Sequence, residues 1–293
     1  MYTSFNYENN IFKTKFFKNF IYTTNRNDSD IDIILAGSFI TEIDYNYLKN
    51  KNCYKILWIS EPVENHFVYP YKLILENKFD LLFGCINNDI SNNKYKLPLY
   101  INYYENYNDI NYFNNLNINN KVLNLDNKKF CCLICRHDRW KTRTIVHNKL
   151  KQLGNIVCPS KLFNNASNEE LNKIGKKSYL KSFIFNICPE NSINKLKGYI
   201  TEKLMDSCIS GCIPIYYGDL DDTDKKIFNL DRIIQYNPND VKTIDNVVNK
   251  IKQLLANPKE LIAFYNQDIF LKDANELIYE MVNNFNSKIT TIT

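Results

Sequence analysis

Residues 185–218, FNICPENSINKLKGYITEKLMDSCISGCIPIYYG, constrain the fold of this chain more than any other stretch. An apolar run closes at Cys188 and the polar loop Pro189-Glu190-Asn191-Ser192 follows. Tyr199-Ile200-Thr201-Glu202-Lys203 then opens a helical pattern, and a second apolar run, Ile213-Pro214-Ile215-Tyr216-Tyr217, closes at Gly218. The order is strand, polar loop, helix, strand. It places the loop and the helix N-terminus at the carboxyl end of the first strand, where open α/β sheets hold their ligands.

Ile200, Leu204 and Cys208 fall four residues apart, and Met205 with Ile209 widens them into one buried helix face. Gly198 precedes the helix, and Gly211 follows its last turn, where a left-handed stop is expected. Unpaired N–H groups and the positive dipole end at the first turn suit a phosphate, and Lys203 adds a full charge. Glu202 suits a different partner, since a carboxylate beside a phosphate site accepts hydrogen bonds from ribose hydroxyls. The plain alternative is a first-turn Glu favoured by the dipole beside an ordinary surface Lys.

Taken together, FNICPENS and GYITEKLMDSCISGCIPIYYG resemble the signature of the family 10 glycosyltransferases, the α-1,3-fucosyltransferases. The close match covers about a tenth of the chain, with weaker similarity reaching back to Trp58. The resemblance is to the soluble bacterial or viral forms. It implies an α/β fold of two Rossmann-like domains facing a cleft, the GT-B-type architecture. The expected domains are residues 1–122 on the acceptor side and residues 123–293 on the nucleotide-sugar side, the last helix packing back on the first.

The implied activity is inverting transfer of L-fucose from GDP-fucose to a hydroxyl of an acceptor glycan of GlcNAc type, with α-1,3-like linkage. Two alternatives stay open: another nucleotide-sugar donor on the same fold and mechanism, or a non-catalytic glycan-binding relative. Pro189 where the family carries an aromatic residue, and a longer loop between Asn191 and Tyr199, motivate the first; the divergent Arg136-His137-Asp138 motivates the second.

The rest of the chain reads as α/β. Residues 31–36 (IDIILA), 55–59 (KILWI) and 79–83 (FDLLF) are expected strands, with helices over 41–48 and 71–76. Residues 97–100 (LPLY) read as extended, and the Asn- and Tyr-rich residues 102–120 as loops with a short helix. A second unit opens at Lys128 with the strand 130–135 (FCCLIC), a helix over 145–153 and a strand at 156–157. A late strand is expected at 232–235, and helices over 241–255, 261–270 and 277–285.

Glu61 ends the KILWI strand before Pro62. Inverting transfer needs one carboxylate to take the acceptor hydroxyl proton, and the resemblance places that base at Glu61; Glu64 is the competitor, and Glu76 on a helix is less suited. Departure of a nucleoside diphosphate calls for cationic stabilisation. The resemblance puts the phosphate-binding arginine at Arg143, with Arg136 and Arg139 nearby, and an Arg fork can hold pyrophosphate bidentately. Asn191 can donate to phosphate or sugar, Glu190 can bind sugar hydroxyls or hold its loop, and Tyr199 can contact the nucleoside or pack at the helix start.

No obligatory cofactor is expected, a divalent ion acting at most as a stimulant. The D-x-D spacings at Asp28-Ser29-Asp30 and Asp219-Leu220-Asp221 read as turns and caps rather than metal ligands. Net charge +5 suits an anionic ligand and falls short of a nucleic-acid signature. The nine cysteines, mostly inside apolar runs, suggest reduced thiols in a cytoplasmic compartment. Cys132 and Cys135 have C-x-x-C spacing, with Leu133-Ile134 reading as strand interior. No run is long enough for a transmembrane helix and no secretory leader is evident.

Overall fold

A computed structural model describes residues 2–3, 25, 33–61, 68–86, 93–103, 109, 111–192 and 197–292. Residues 31–32, 62–67 and 193–196 lie outside this set, as does the Asp28-Ser29-Asp30 spacing. The chain divides into two compact units. The first holds Met1–Glu105, Lys197–Tyr199 and Ile278–Thr293; the second holds Asn106–Leu196 and Ile200–Leu277.

The first unit is built on a parallel sheet of β1 (Tyr2–Thr3), β2 (Ile33–Ala36), β3 (Tyr54–Ile59), β4 (Leu81–Gly84) and β5 (Lys94–Lys96), ordered β1-β2-β3-β4-β5. Runs such as IILA and LLFG are buried at every position, the pattern of a parallel strand covered on both faces. Helix α1 (Glu42–Asn50) starts where Thr41 and Asp44 form a capping box, and α2 is Val68–Leu75. Ile34, Leu48, Leu57 and Leu73 join one core, each buried side chain contributing about 1.5–3 kcal/mol. Gly84 has φ +124°, and a Cβ there would overlap the Ile59 carbonyl, so only glycine lets β4 close on the end of β3.

The second unit carries α3 (Tyr112–Asn119), β6 (Lys129–Cys132), α4 (Thr142–Leu150), β7 (Ile156–Val157), α5 (Glu169–Ile174), α6 (Lys176–Leu180) and β8 (Phe183–Ile187). It continues with α7 (Glu202–Ile209), β9 (Ile213–Tyr216), α8 (Asp224–Ile227), β10 (Ile234–Gln235), α9 (Val241–Ala256) and α10 (Pro258–Tyr265). Helix α11 (Ala274–Thr290) runs on into residues of the first unit, where Phe285 lies 4.6 Å from the Phe83 ring. The second sheet is also parallel, ordered β10-β9-β8-β6-β7. The chain steps from β6 to β7 in one direction, then returns past β6 to β8. The carboxyl ends of β6 and β8 therefore flank a topological switch point, where such sheets bind ligands; the described strands of the first sheet run in sequential order.

Several sequence expectations need correction. Leu99–Tyr103 is a 3₁₀ helix rather than an extended segment; Pro98 restricts only its predecessor, and its carbonyl accepts from Ile101 N. Helix α4 begins at Thr142 because Asp138 caps it: its carboxylate accepts from Arg143 N (3.0 Å) and Thr144 N (2.6 Å). Helix α10 begins at Pro258, capped by Asn257, and stops at Tyr265, so residues 266–270 are not helical. The strand expected over 232–235 holds only Ile234–Gln235. Arg232 is instead fully buried and donates to the carbonyls of Gly211, Cys212 and Tyr265. It caps the negative end of α10 at Tyr265 and ties it to the turn after α7, and burial lowers its affinity for a proton.

Strand β6 ends at Cys132, so Cys135 lies beyond it, its thiol donating to His137 O at 2.7 Å. Seven of the nine cysteines are buried, and Cys53 and Cys135 are partly exposed. Burial pushes the Cys158 thiol up to about 11 and those of Cys208 and Cys212 up to about 12, which suppresses the reactive thiolate. Under native conditions at neutral pH, a thiol reagent followed by mass spectrometry is expected to label Cys53 and Cys135 rapidly. The buried seven should label only after denaturation; rapid native labelling of Cys188 or Cys212 would contradict this packing.

Candidate functional site

The loops leaving β6 and β8 at the switch point are tied together by Arg143. Its Nη2 donates to the Pro189 carbonyl (3.1 Å) and to Asn191 Oδ1 (2.6 Å), and its Nη1 to His137 O (3.4 Å). The guanidinium is buried, with the Asp138 carboxylate 3.8 Å from Nη1. Its three hydrogen-bond acceptors are neutral oxygens, and the Asp138 carboxylate at ion-pair distance offsets part of its charge. Arg136 and Arg139 are exposed, and Arg139 lies over the Trp140 ring at 5.2 Å. Asp138 already occupies the α4 N-terminus with negative charge, so Arg143 is the group there suited to a phosphate. Sequence reading missed the Asp138 cap; its signal is an Asp shortly before a helical pattern.

Glu190 is the hub of a second cluster. It is 1 % exposed, and both carboxylate oxygens are engaged. Oε1 accepts from Thr201 N (2.9 Å) and the Tyr216 hydroxyl (3.2 Å); Oε2 accepts from Thr201 Oγ1 (2.7 Å) and Lys203 Nζ (3.3 Å). Thr201 is the N-cap of α7 and also receives Lys203 Nζ at 2.8 Å. One carboxylate thus joins the loop after β8, the start of α7 and the end of β9. Gly218 completes the packing, since a Cβ there would overlap the Tyr216 hydroxyl. Tyr216 is held far above its ordinary pKa by burial and then by Glu190, so it remains a donor.

Charge counting changes the reading of Lys203. Its ammonium sits 3.3 Å from Glu190 and 3.6 Å from Glu202. One cation faces two carboxylates, and Lys203 first compensates Glu190. Glu202 is the surplus charge: burial pushes its pKa up, but Lys203 and Lys176 outweigh that and hold it ionised below the usual range. An ionised, partly exposed carboxylate accepts hydrogen bonds from neutral hydroxyls. Gly198 and Gly211 have φ +81° and +78°, as their flanking places require. The stripe of Ile200, Leu204, Met205, Cys208 and Ile209 is buried.

The first unit holds Glu61 and Tyr199. The Tyr199 hydroxyl donates to Glu61 Oε2 at 2.9 Å, and the ring is buried. Glu61 follows the carboxyl end of β3 by two residues. Glu64 lies outside the described residues. Glu76 sits past the end of α2 against the Tyr45 hydroxyl (2.9 Å) and Lys49 (3.6 Å), a surface brace. Asp221 turns its Oδ1 to the N–H groups of Thr223 (2.9 Å) and Asp224 (3.0 Å), the capping role expected of that D-x-D. Among the described residues no cluster of three or more His, Cys, Asp or Glu side chains is arranged to hold a metal ion. No helix among them is long and apolar enough to cross a membrane.

Known proteins share both the motif and the fold. The model of glycosyltransferase family 10 (fucosyltransferase), C-terminal part, matches residues 123–277, just over half of the 293-residue chain. The alpha-(1,3)-fucosyltransferase FucT of Helicobacter pylori is 37% identical over 79 residues, which is 27% of this chain but only 15% of that relative. Crystal structures of alpha1,3-fucosyltransferase superpose with a TM-score of 0.71 at 17% identity, covering 99% of this chain and 89% of the other. With GDP-fucose bound, the TM-score is 0.66 at 16% identity, covering 97% and 89%. Anabaena HepE in complex with UDP and glucose gives 0.52 at 10% identity, covering 89% and 77%. At these identities the structural likeness is one of fold, the parallel α/β architecture of GT-B glycosyltransferases. With the family model spanning the β6–α10 unit and the hub built from its signature, the chain belongs to glycosyltransferase family 10, the fucosyltransferases.

Proposed function

We propose that this protein transfers L-fucose from GDP-fucose to a hydroxyl of an acceptor glycan, with inversion at the anomeric carbon and a GlcNAc-type, α-1,3-like acceptor. The observation that carries this reading is the Arg143 link between the loops of β6 and β8 at the switch point. The guanidinium, hydrogen-bonded to neutral oxygens and backed by the Asp138 carboxylate, belongs to the sheet end where an open α/β sheet takes its nucleotide.

In this reading Glu61 accepts the proton of the acceptor hydroxyl as that oxygen attacks the anomeric carbon. The bond from that carbon to the β-phosphate oxygen breaks, and its electron pair leaves with GDP. Arg143 stabilises the developing charge, supported by Lys203. Glu202 receives the ribose hydroxyls, and the Asn191 amide donates to phosphate or sugar. Tyr199 steadies Glu61 through its hydroxyl. Glu190 takes the loop-holding role, because its oxygens are engaged by the protein's own donors. These cations supply the stabilisation without an obligatory metal. Seven buried cysteines suit a reducing, cytoplasmic setting.

Calorimetry with GDP, UDP and GDP-fucose, each with and without Mg²⁺, tests the donor, and product analysis by NMR tests the stereochemistry. GDP and GDP-fucose are expected to bind, UDP to bind much more weakly, and Mg²⁺ to leave the affinities unchanged. A preference for UDP would overturn the donor, and no nucleotide binding would leave the non-catalytic reading in its place.

A further inference from the structure

A second residue, outside the signature stretch, holds the backbone at Glu61. Ser38 lies in the turn after β2, next to the carboxyl end of β3, and is fully buried. Its hydroxyl accepts from Ser60 N at 3.0 Å and from Glu61 N at 3.4 Å, and it donates to the Trp58 carbonyl at 3.3 Å. The Ser60 hydroxyl lies 3.4 Å away. The β2–β3 ladder pairs Ala36 with Leu57 at its last register. Beyond it, one side-chain oxygen accepts from the backbone of both residues leading out to the Glu61 side chain.

We propose that Ser38 is a positioning residue for transfer, acting through Glu61; this rests on the reading of Glu61 as the base. The Glu61 carboxylate is held at its tip by the Tyr199 hydroxyl and at its backbone by Ser38. A general base works only within hydrogen-bond reach of its proton, and a displacement of about 1 Å can cost about 10²-fold in rate. Without the Ser38 oxygen, the N–H groups of Ser60 and Glu61 lose this shared acceptor and the tie that fixes the segment to the turn after β2.

The test is a kinetic cycle on the full chain. Ser38→Ala, and Ser38→Cys, which fills the space with a weak acceptor, are expected to lower kcat about 10- to 100-fold. The KM for GDP-fucose and the calorimetric affinity for GDP should stay within about 2-fold, because the donor groups assigned to the second unit are untouched. In a Glu61→Gln background, Ser38→Cys should cost no more than about 2-fold further, since residues acting as one unit are non-additive. An unchanged kcat in Ser38→Cys, or an equal loss in both backgrounds, would overturn the proposal while leaving Glu61 as base. Near-normal transfer by Glu61→Gln alone would overturn the base assignment and this proposal with it.

Discussion

Glu61→Gln is expected to lower fucose transfer about 10²- to 10⁴-fold, the range a positioned general base contributes, while the affinity for GDP stays unchanged. The amide is nearly isosteric and can still accept from the Tyr199 hydroxyl that donates to Glu61 Oε2 at 2.9 Å. It cannot take a proton from the acceptor, so the loss falls on the chemical step. Rate measurement at saturating donor and acceptor, alongside calorimetry with GDP, separates the two. Transfer within a few-fold of the unsubstituted protein would remove Glu61 from the role. Loss of GDP binding would instead show that the substitution disturbs the fold.

Glu190→Ala is expected to destabilise the protein by about 3–5 kcal/mol, since each buried donor left without its acceptor costs about 1–3 kcal/mol. Three buried donors lose this acceptor at once, Thr201 N and the hydroxyls of Thr201 and Tyr216, while the Lys203 ammonium keeps Thr201 Oγ1 and Glu202. The carboxylate is 1 % exposed, so water does not readily replace it. Tyr216→Phe removes one of these bonds and should cost nearer 1 kcal/mol. Urea unfolding of the variants measures both. A Glu190→Ala protein with wild-type stability but no GDP affinity would make Glu190 a direct ligand rather than a brace.

These expectations differ in how far they could be read from the chain alone. The strand–loop–helix–strand order at 185–218 was legible because each element carries its own local signal. The stripe of Ile200, Leu204, Met205, Cys208 and Ile209 has helical spacing, Gly198 and Gly211 mark the flanks, and IPIYYG is a short apolar run closed by glycine. The same alternation of runs marked β2, β3, β4, β6 and β7, whereas the short strands β1 and β5 carry no such run. Boundaries were less legible where a distant or loop residue sets them. Asp138 pulls the start of α4 back to Thr142, and Asn257 starts α10 at Pro258.

By itself, then, the sequence determined the α/β class, the family signature and the residue types that could carry the chemistry, since periodicity and motif spacing are local properties of the chain. Only the tertiary structure decided what those side chains do. It turned Glu190 inward as a buried brace and spent most of the Lys203 charge on two carboxylates. It bound Arg143 to the loop after β8, 46 residues further along the chain, and put the Ser38 hydroxyl against a backbone 22 and 23 residues away. The reason is physical. A carboxylate or guanidinium reads the same in sequence whether it meets solvent, a ligand or another side chain, and which of these it meets depends on long-range packing that brings distant strand ends together.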